Sequence, residues 1–282
     1  MKVARFARNG SVSIGLVKGD GIISLSPFDK GLSDIDEVVA AEGWARAEKL
    51  MTREPDLKIG DVEFLPPLSA RARVFCVGFN YKAHVDETGN EAPAYPTFFQ
   101  RTHESFVGNR QLLLRPKVSE RLDYEGELAL IIGRTCHRVE EGRALDYVGG
   151  DTCLNEGSVR DYQKHSATGM TGKNFDSSGS IGPWIVAATD VPHPDRLALS
   201  TRLNGEVVQQ ASTSQLIYGL PRLISYLSSV LRLLPGDIIA TGTPAGVGSR
   251  RVPPRWLRAG DRVEVEISGV GILENAVIDE PT

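Results

Sequence analysis

Glu125 and Glu127 stand one residue apart in Arg-Leu-Asp-Tyr-Glu-Gly-Glu-Leu-Ala-Leu-Ile-Ile and lead into the apolar run Leu128 to Ile132. That run reads as a buried strand. Side chains alternate across a strand, so Glu125, Glu127, Ala129 and Ile131 share one face, acidic at its start and apolar at its end. Two carboxylates at the mouth of a core lose water and repel one another unless a proton or a cation joins them. Such an all-oxygen pair suits a hard divalent cation, magnesium, manganese or calcium. A strand end carrying two solvated acids is the competing reading of so short a pattern.

Four further clusters carry residues that could do chemistry. In Gly-Phe-Asn-Tyr-Lys-Ala-His-Val-Asp-Glu, 78 to 87, His84 and Glu87 are three apart and face each other if the segment is helical. A carboxylate beside an imidazole orients it and raises its basicity, which makes a water-activating base; an exposed surface pair has the same spacing. In Asn-Glu-Gly-Ser-Val-Arg-Asp-Tyr-Gln, 155 to 163, Glu156 could complete a three-carboxylate metal site and Arg160 could grip an anionic substrate group. The same stretch also reads as a helix start capped by Ser158, with Arg160 in solvent. Lys173, in Thr-Gly-Lys-Asn-Phe-Asp, is placed to reach as a cation. The run Ala-Thr-Gly-Thr-Pro-Ala-Gly-Val-Gly, 240 to 248, lacks the lysine of a phosphate-binding loop, but its glycines let backbone N–H groups approach a carboxylate and Thr243 adds a hydroxyl. No G-x-S-x-G elbow is present, and His103, His137, His165 and His193 lack metal-ligand spacing.

The elements that must position these residues are mostly short strands: Val74 to Val77, Leu112 to Leu114, Leu128 to Ile132, Ile185 to Ala187, Leu197 to Leu203, Ile238 to Thr241 and Val263 to Ile267. Asn204-Gly205 marks a hairpin. Apolar residues at helical spacing predict an amphipathic helix from Ser214 to Leu231. Before them, Val3 to Phe6, Val12 to Val17 and Ile22 to Leu25 alternate, and Glu37 to Met51 reads as a helix. Pro66-Pro67 is the expected linker, dividing a small N-terminal α/β domain, 1–66, from a catalytic domain, 67–282. Strands outnumber helices without alternating with them, so the expected class is α+β and strand-rich rather than a doubly wound sheet.

The 282 residues, 41% hydrophobic and 24% charged, describe an ordinary globular chain with room for a large core. A net charge of -4 argues against a nucleic-acid surface, and Arg250, Arg251 and Arg255 read as a solvated loop. Three cysteines without C-x-x-C spacing point to a reduced, cytoplasmic setting. No apolar stretch of membrane-spanning length occurs.

Taken in order, the five clusters resemble the fumarylacetoacetate hydrolase family, over Val74 to Val277. The resemblance implies a mixed β-sheet rolled on itself with flanking helices, usually as a homodimer. It implies Mg²⁺ or Mn²⁺, with Ca²⁺ able to take their place in crystals, held by Glu125, Glu127 and Glu156. It makes His84 and Glu87 a water-activating dyad and Lys173 a catalytic cation. Tyr81, Arg101, Arg160, Gln163 and Thr243 fall on substrate-binding positions. Two departures stand out: Glu156 occupies a position that is usually aspartate, and Arg101 one that is often lysine. The extra methylene of Glu156 moves its carboxylate by about 1.5 Å. The expected reaction is metal-dependent hydrolysis of a C–C bond in an acylpyruvate-like 2,4-diketo acid through an enolate. Alternatives on the same scaffold are decarboxylation or isomerisation of oxaloacetate- or hydroxymuconate-type 2-oxo acids, and dehydration of sugar-derived 2-oxo acids. A non-catalytic ligand or metal binder is the remote one. The expected partner is a small 2-oxo acid whose tail lies against the stretches Gly89 to Tyr95 and His165 to Met170.

Overall fold

In the computed structural model, which describes residues 1–281, the chain builds a mixed twelve-stranded sheet, a five-stranded sheet and a two-stranded ribbon. The large sheet runs through Leu57–Lys58, Gly21–Ser24, Ser11–Lys18, Lys2–Arg8, Gly179–Ala187, Val148–Asn155, Gly126–Ile132, Ile238–Ala240, Val74–Gly78 and Thr97–Arg101. Most neighbours are antiparallel, and Ile238–Ala240 with Val74–Gly78 is parallel. The strand Lys2–Arg8 pairs with Gly179–Ala187, so the sheet passes without a break from the residues before Pro66-Pro67 to those after them. The architecture is the strand-rich α+β class that the residue pattern predicts.

The strand Gly126–Ile132 is buried along its whole length, because both of its faces are covered. Ala129 and Ile131 join one apolar layer with Leu16, Val39, Leu154 and Ile185. Leu128, Leu130 and Ile132 join a second, shared with Leu199, Val265 and Ile267 of the five-stranded sheet and Leu223 and Ile224 of the helix Leu220–Val230. The two sheets pack across this second layer. Glu127 lies on the Ala129 face, at the end where apolar packing stops, as alternation requires.

Two helices differ from expectation. The stretch predicted as one helix from Glu37 to Met51 is two, Ile35–Val39 and Ala41–Glu48, broken at Ala40, whose ψ is 147°. Asp34 and Glu37 form a capping box that starts the first at Ile35, two residues earlier than expected. The helix predicted from Ser214 begins at Leu220, because Pro221 suits a first turn and not a helix interior. The residues before it turn to Asn80 instead: the Ile217 N–H donates to the Asn80 carbonyl at 2.7 Å and the Tyr218 N–H to Asn80 Oδ1 at 2.8 Å. Asn204-Gly205 does make the hairpin, with positive φ at both residues.

Asp151, in the strand Val148–Asn155, is 1% exposed, and neither carboxylate oxygen has a hydrogen-bond partner among the described residues. Burial pushes its pKa from 3.8 up to about 7. Between those values the native state keeps a proton that the unfolded chain has lost, so stability falls as pH rises through this window and levels off above it. The expected slope from this group is roughly 1.4 kcal/mol per pH unit. Denaturant midpoints of Asp151→Asn measured from pH 4 to 8 should lack this slope; an unchanged slope would mean that other groups produce it.

Candidate active site

The ends of several strands deliver carboxylates to one point. Glu125 enters at the start of the central strand, Glu127 one pleat further in, and Glu156 just beyond the neighbouring strand Val148–Asn155. All three are buried, and each offers an oxygen within 4.8 Å of the others. The Glu156 N–H donates to the Glu125 carbonyl at 2.8 Å and the Glu125 N–H to Asn155 Oδ1 at 3.0 Å, so backbone bonds hold the two segments in register. Asn155-Glu156-Gly157-Ser158 turns sharply here. A side chain at Gly157 would place its Cβ 1.6 Å from the Ser178 carbonyl oxygen, so only glycine fits.

The negative charge is unequally compensated. Glu125 Oε1 accepts from Arg160 Nη2 at 2.6 Å, and its Oε2 from Ser158 Oγ at 2.9 Å and from Lys173 Nζ. Burial works against this carboxylate, but Arg160 and Lys173 outweigh it and hold the group below the usual carboxylate range. Among the described residues Glu127 makes no ion pair and accepts a hydrogen bond only from the Gly242 N–H, at 2.7 Å. Burial, then repulsion from Glu156 and Glu125, pushes its pKa well above the ordinary value. Lys173 also donates to Glu156 Oε2 at 2.6 Å, while Glu156 Oε1 is buried with no partner among the described residues. Burial disfavours the Lys173 charge, but Glu125 and Glu156 raise its pKa above the ordinary lysine value, so it stays an ammonium.

Above this floor lies a cavity of about 590 Å³, lined by the triad, Lys173, Arg160, Gln163, Thr243 and His84 among others. His84 and Glu87 lie on the helix Lys82–Thr88, with Nδ1 and Oε1 2.8 Å apart. A carboxylate only accepts, so Nδ1 is the donor in this bond, and in the neutral tautomer it selects the lone pair lies on Nε2. Glu87 Oε2 accepts from the Gly246 N–H at 3.0 Å, which ties the helix to the glycine-rich loop. Phe79, held at positive φ, stacks on the His84 ring. Thr243 Oγ1 donates to the Gly126 carbonyl at 3.0 Å and accepts from Gln209 Nε2 at 2.8 Å.

Residues 73–278 match the model of the fumarylacetoacetate (FAA) hydrolase C-terminal domain. The chain belongs to the fumarylacetoacetate hydrolase family. An oxaloacetate tautomerase of Bacillus subtilis is 34% identical over 300 residues, covering 98% of this chain and all of that protein. A 5-carboxymethyl-2-hydroxymuconate delta-isomerase from Mycobacterium smegmatis matches over all of both chains with a TM-score of 0.79 and 31% identity. A maleylpyruvate hydrolase from a Sphingobium species, crystallised with manganese(II) and pyruvate, likewise covers both chains fully, with a TM-score of 0.83 and 27% identity.

Most of the residues singled out in the sequence of this family member converge on the cavity; three do not line it, and of these Glu87 is tied to it through His84. Tyr81 is 2% exposed, and its hydroxyl is buried without a partner among the described residues. Arg101 lies behind the floor: it donates to the Gly157 carbonyl at 3.0 Å, to Ser105 Oγ at 3.1 Å and to Ser178 Oγ at 3.1 Å. It braces the Gly157 turn and takes no part in lining the cavity. Ser158, read as a helix cap, belongs to the strand Ser158–Val159 and turns its hydroxyl to Glu125. Residues from both expected tail stretches, Asn90 on one side and Ala167, Thr168 and Gly169 on the other, do line the cavity.

Three buried carboxylates, one oxygen of them unpartnered and one group held above its ordinary pKa, form a donor set suited to a divalent cation. The longer Glu156 side chain does not prevent this, since its oxygens reach the cluster. Glu127→Gln keeps the acceptor for Gly242 while removing one uncompensated charge. In metal-free protein it should raise the unfolding midpoint, by about 2–4 °C per kcal/mol gained. The same variant should lose the midpoint rise that Mn²⁺ gives the parent protein. A lowered metal-free midpoint would refute the charge imbalance.

Proposed function

We propose that this chain catalyses proton transfer beside the carbonyl of a small 2-oxo acid, interconverting its keto and enol forms, with Mg²⁺ or Mn²⁺ at Glu125, Glu127 and Glu156. The observation that carries this reading is that His84 lines the same cavity as the acidic floor, with Nδ1 held by Glu87 so that Nε2 is the nitrogen left to exchange a proton. A keto–enol exchange needs one base that takes a proton from carbon and returns it to the same molecule. A cation bound at the floor supplies Lewis acidity toward the 2-oxo group. Lys173, an ammonium bonded to two carboxylates, adds positive charge where the enolate oxygen develops negative charge, and it is not a free amine for a Schiff base. Gly246, bonded to Glu87, keeps the dyad aligned as the proton moves. The full-length similarity to an oxaloacetate tautomerase supports this reading. Residues 1–66 then serve to extend the large sheet, as none of them lines the cavity.

C–C hydrolysis of an acylpyruvate is the second reading, favoured by the full-length similarity to a maleylpyruvate hydrolase. There His84 Nε2 takes its proton from water instead of carbon. The experiment is an ultraviolet assay of enol-oxaloacetate decay and of acetylpyruvate loss, with Mg²⁺ or Mn²⁺ and after chelation. Metal-dependent acceleration of enol decay, slowed by about 10²–10⁴-fold in His84→Ala, supports the tautomerase. Equal amounts of pyruvate and acetate from acetylpyruvate, without acceleration of enol decay, would replace it with the hydrolase.

A further inference from the structure

One wall of the cavity is built from three chain segments far apart in sequence: the strand Leu122–Asp123, the short helix Arg160–Gln163 and the 3₁₀ turn Gly248–Arg250. A single buried carboxylate staples them. Asp123, 0% exposed, accepts from the Gly248 N–H at 2.8 Å, the Ser249 N–H at 3.0 Å and Arg160 Nε at 2.8 Å. A backbone bond from the Arg160 N–H to the Arg121 carbonyl at 3.0 Å adds a fourth tie. Each segment ends in a cation that reaches the cavity: Arg121, Lys164 and Arg250.

These three differ from the cations at the floor. Arg160 and Lys173 are neutralised by Asp123, Glu125 and Glu156, whereas Arg121, Lys164 and Arg250 make no ion pair among the described residues. Among the described residues the acids that line the cavity are the buried triad alone, whereas these three cations are exposed. The cavity is thus acidic at its base, where a metal fits, and cationic at its exposed mouth. Its volume, about 590 Å³, is more than a four-carbon acid fills.

Resting on the 2-oxo acid reading above, we infer that Arg121, Arg250 and Lys164 form a second anion subsite that holds the far carboxylate of a 2-oxo dicarboxylate. The 2-oxo acid end sits at the floor and the chain spans the cavity, its middle against Phe79 and Phe99. The arginines offer planar, two-pronged donors matched to a carboxylate, and Lys164 adds a point charge. The residues determine which acid is selected and leave the proton transfer to His84.

The test is calorimetric binding to the Mn²⁺-loaded full chain of 2-oxoadipate and 2-oxohexanoate, which differ only in the far carboxylate. The parent protein should bind the diacid about 10–100-fold more tightly. Arg121→Gln combined with Arg250→Gln should bring the ratio close to one and remove its salt dependence. Arg8→Gln with Arg258→Gln, which removes the same charge from exposed positions outside the cavity, should keep it. Equal binding of the two acids by the parent, or a preference that survives in the Arg121/Arg250 variant, overturns the subsite while metal-dependent binding leaves the 2-oxo acid reading standing. Failure of both acids to bind in a metal-dependent way overturns the two together.

Discussion

Everything in the site follows from burying three carboxylates within reach of one another. Isolated buried carboxylates are costly, and mutual repulsion adds to the cost. Two cations, Arg160 and Lys173, pair with these acids among the described residues, and the compensation is incomplete. Lys173 and Arg160 both turn to Glu125, which is overcompensated, while Glu127 receives a backbone N–H alone and one oxygen of Glu156 receives nothing among the described residues. A cluster meant only to hold the fold would pair each acid. The uneven pairing leaves a demand for positive charge on the Glu127 and Glu156 side, and a divalent ion is the simplest group that meets it. Lys173 donates to oxygens of that same cluster, so the ammonium and a divalent ion would share the charge of Glu125 and Glu156.

Backbone devices make this concentration of charge geometrically possible. Gly157 brings its turn against the Ser178 carbonyl, and Arg101 clamps the Gly157 carbonyl from behind. Gly242, at φ 101°, packs where a Cβ would meet the Asn80 side chain at 2.8 Å, and from there its N–H reaches Glu127. Asn80 in turn holds the residues that precede the helix Leu220–Val230. A residue beside the dyad thus fixes both a loop that touches the acidic floor and the start of a helix in the second apolar layer.

What was legible in the sequence is what local pattern controls. Alternation placed Glu125 and Glu127 on one face, helical spacing paired His84 with Glu87, and Asn204-Gly205 marked its hairpin. The misread elements have local causes too: Pro221 shortens one helix, and Ala40 divides another. The missed roles depend on contacts over long separations. Asp123 is one letter in an acidic motif, yet its partners at Gly248 and Ser249 lie 125 and 126 residues away. Gln209, in an unremarkable strand, binds Gly126, Thr243 and Pro244 together. Arg101 drew attention as a departure from the family pattern, but only the fold shows that it points into the protein. No residue pattern carries these roles, because the partner atoms are mostly backbone groups that every sequence possesses.

Arg160 shows why selectivity must lie elsewhere than the residues first singled out. As a surface cation it could have gripped a substrate. In the fold its Nε is given to Asp123, one Nη to Glu125 and the other to Gln163. Burial opposes its charge, but Glu125 and Asp123 raise its pKa further above the ordinary arginine value. A guanidinium so committed acts as a strut between the floor and the Asp123-stapled wall. It makes the two parts one rigid unit, so that the spacing between the acidic base and the cationic mouth is set by the protein and not by the ligand. A rigid spacing discriminates between acids by length, and uncommitted cations discriminate by charge. Both properties sit at the mouth, on Arg121, Lys164 and Arg250, while the chemistry remains at the floor.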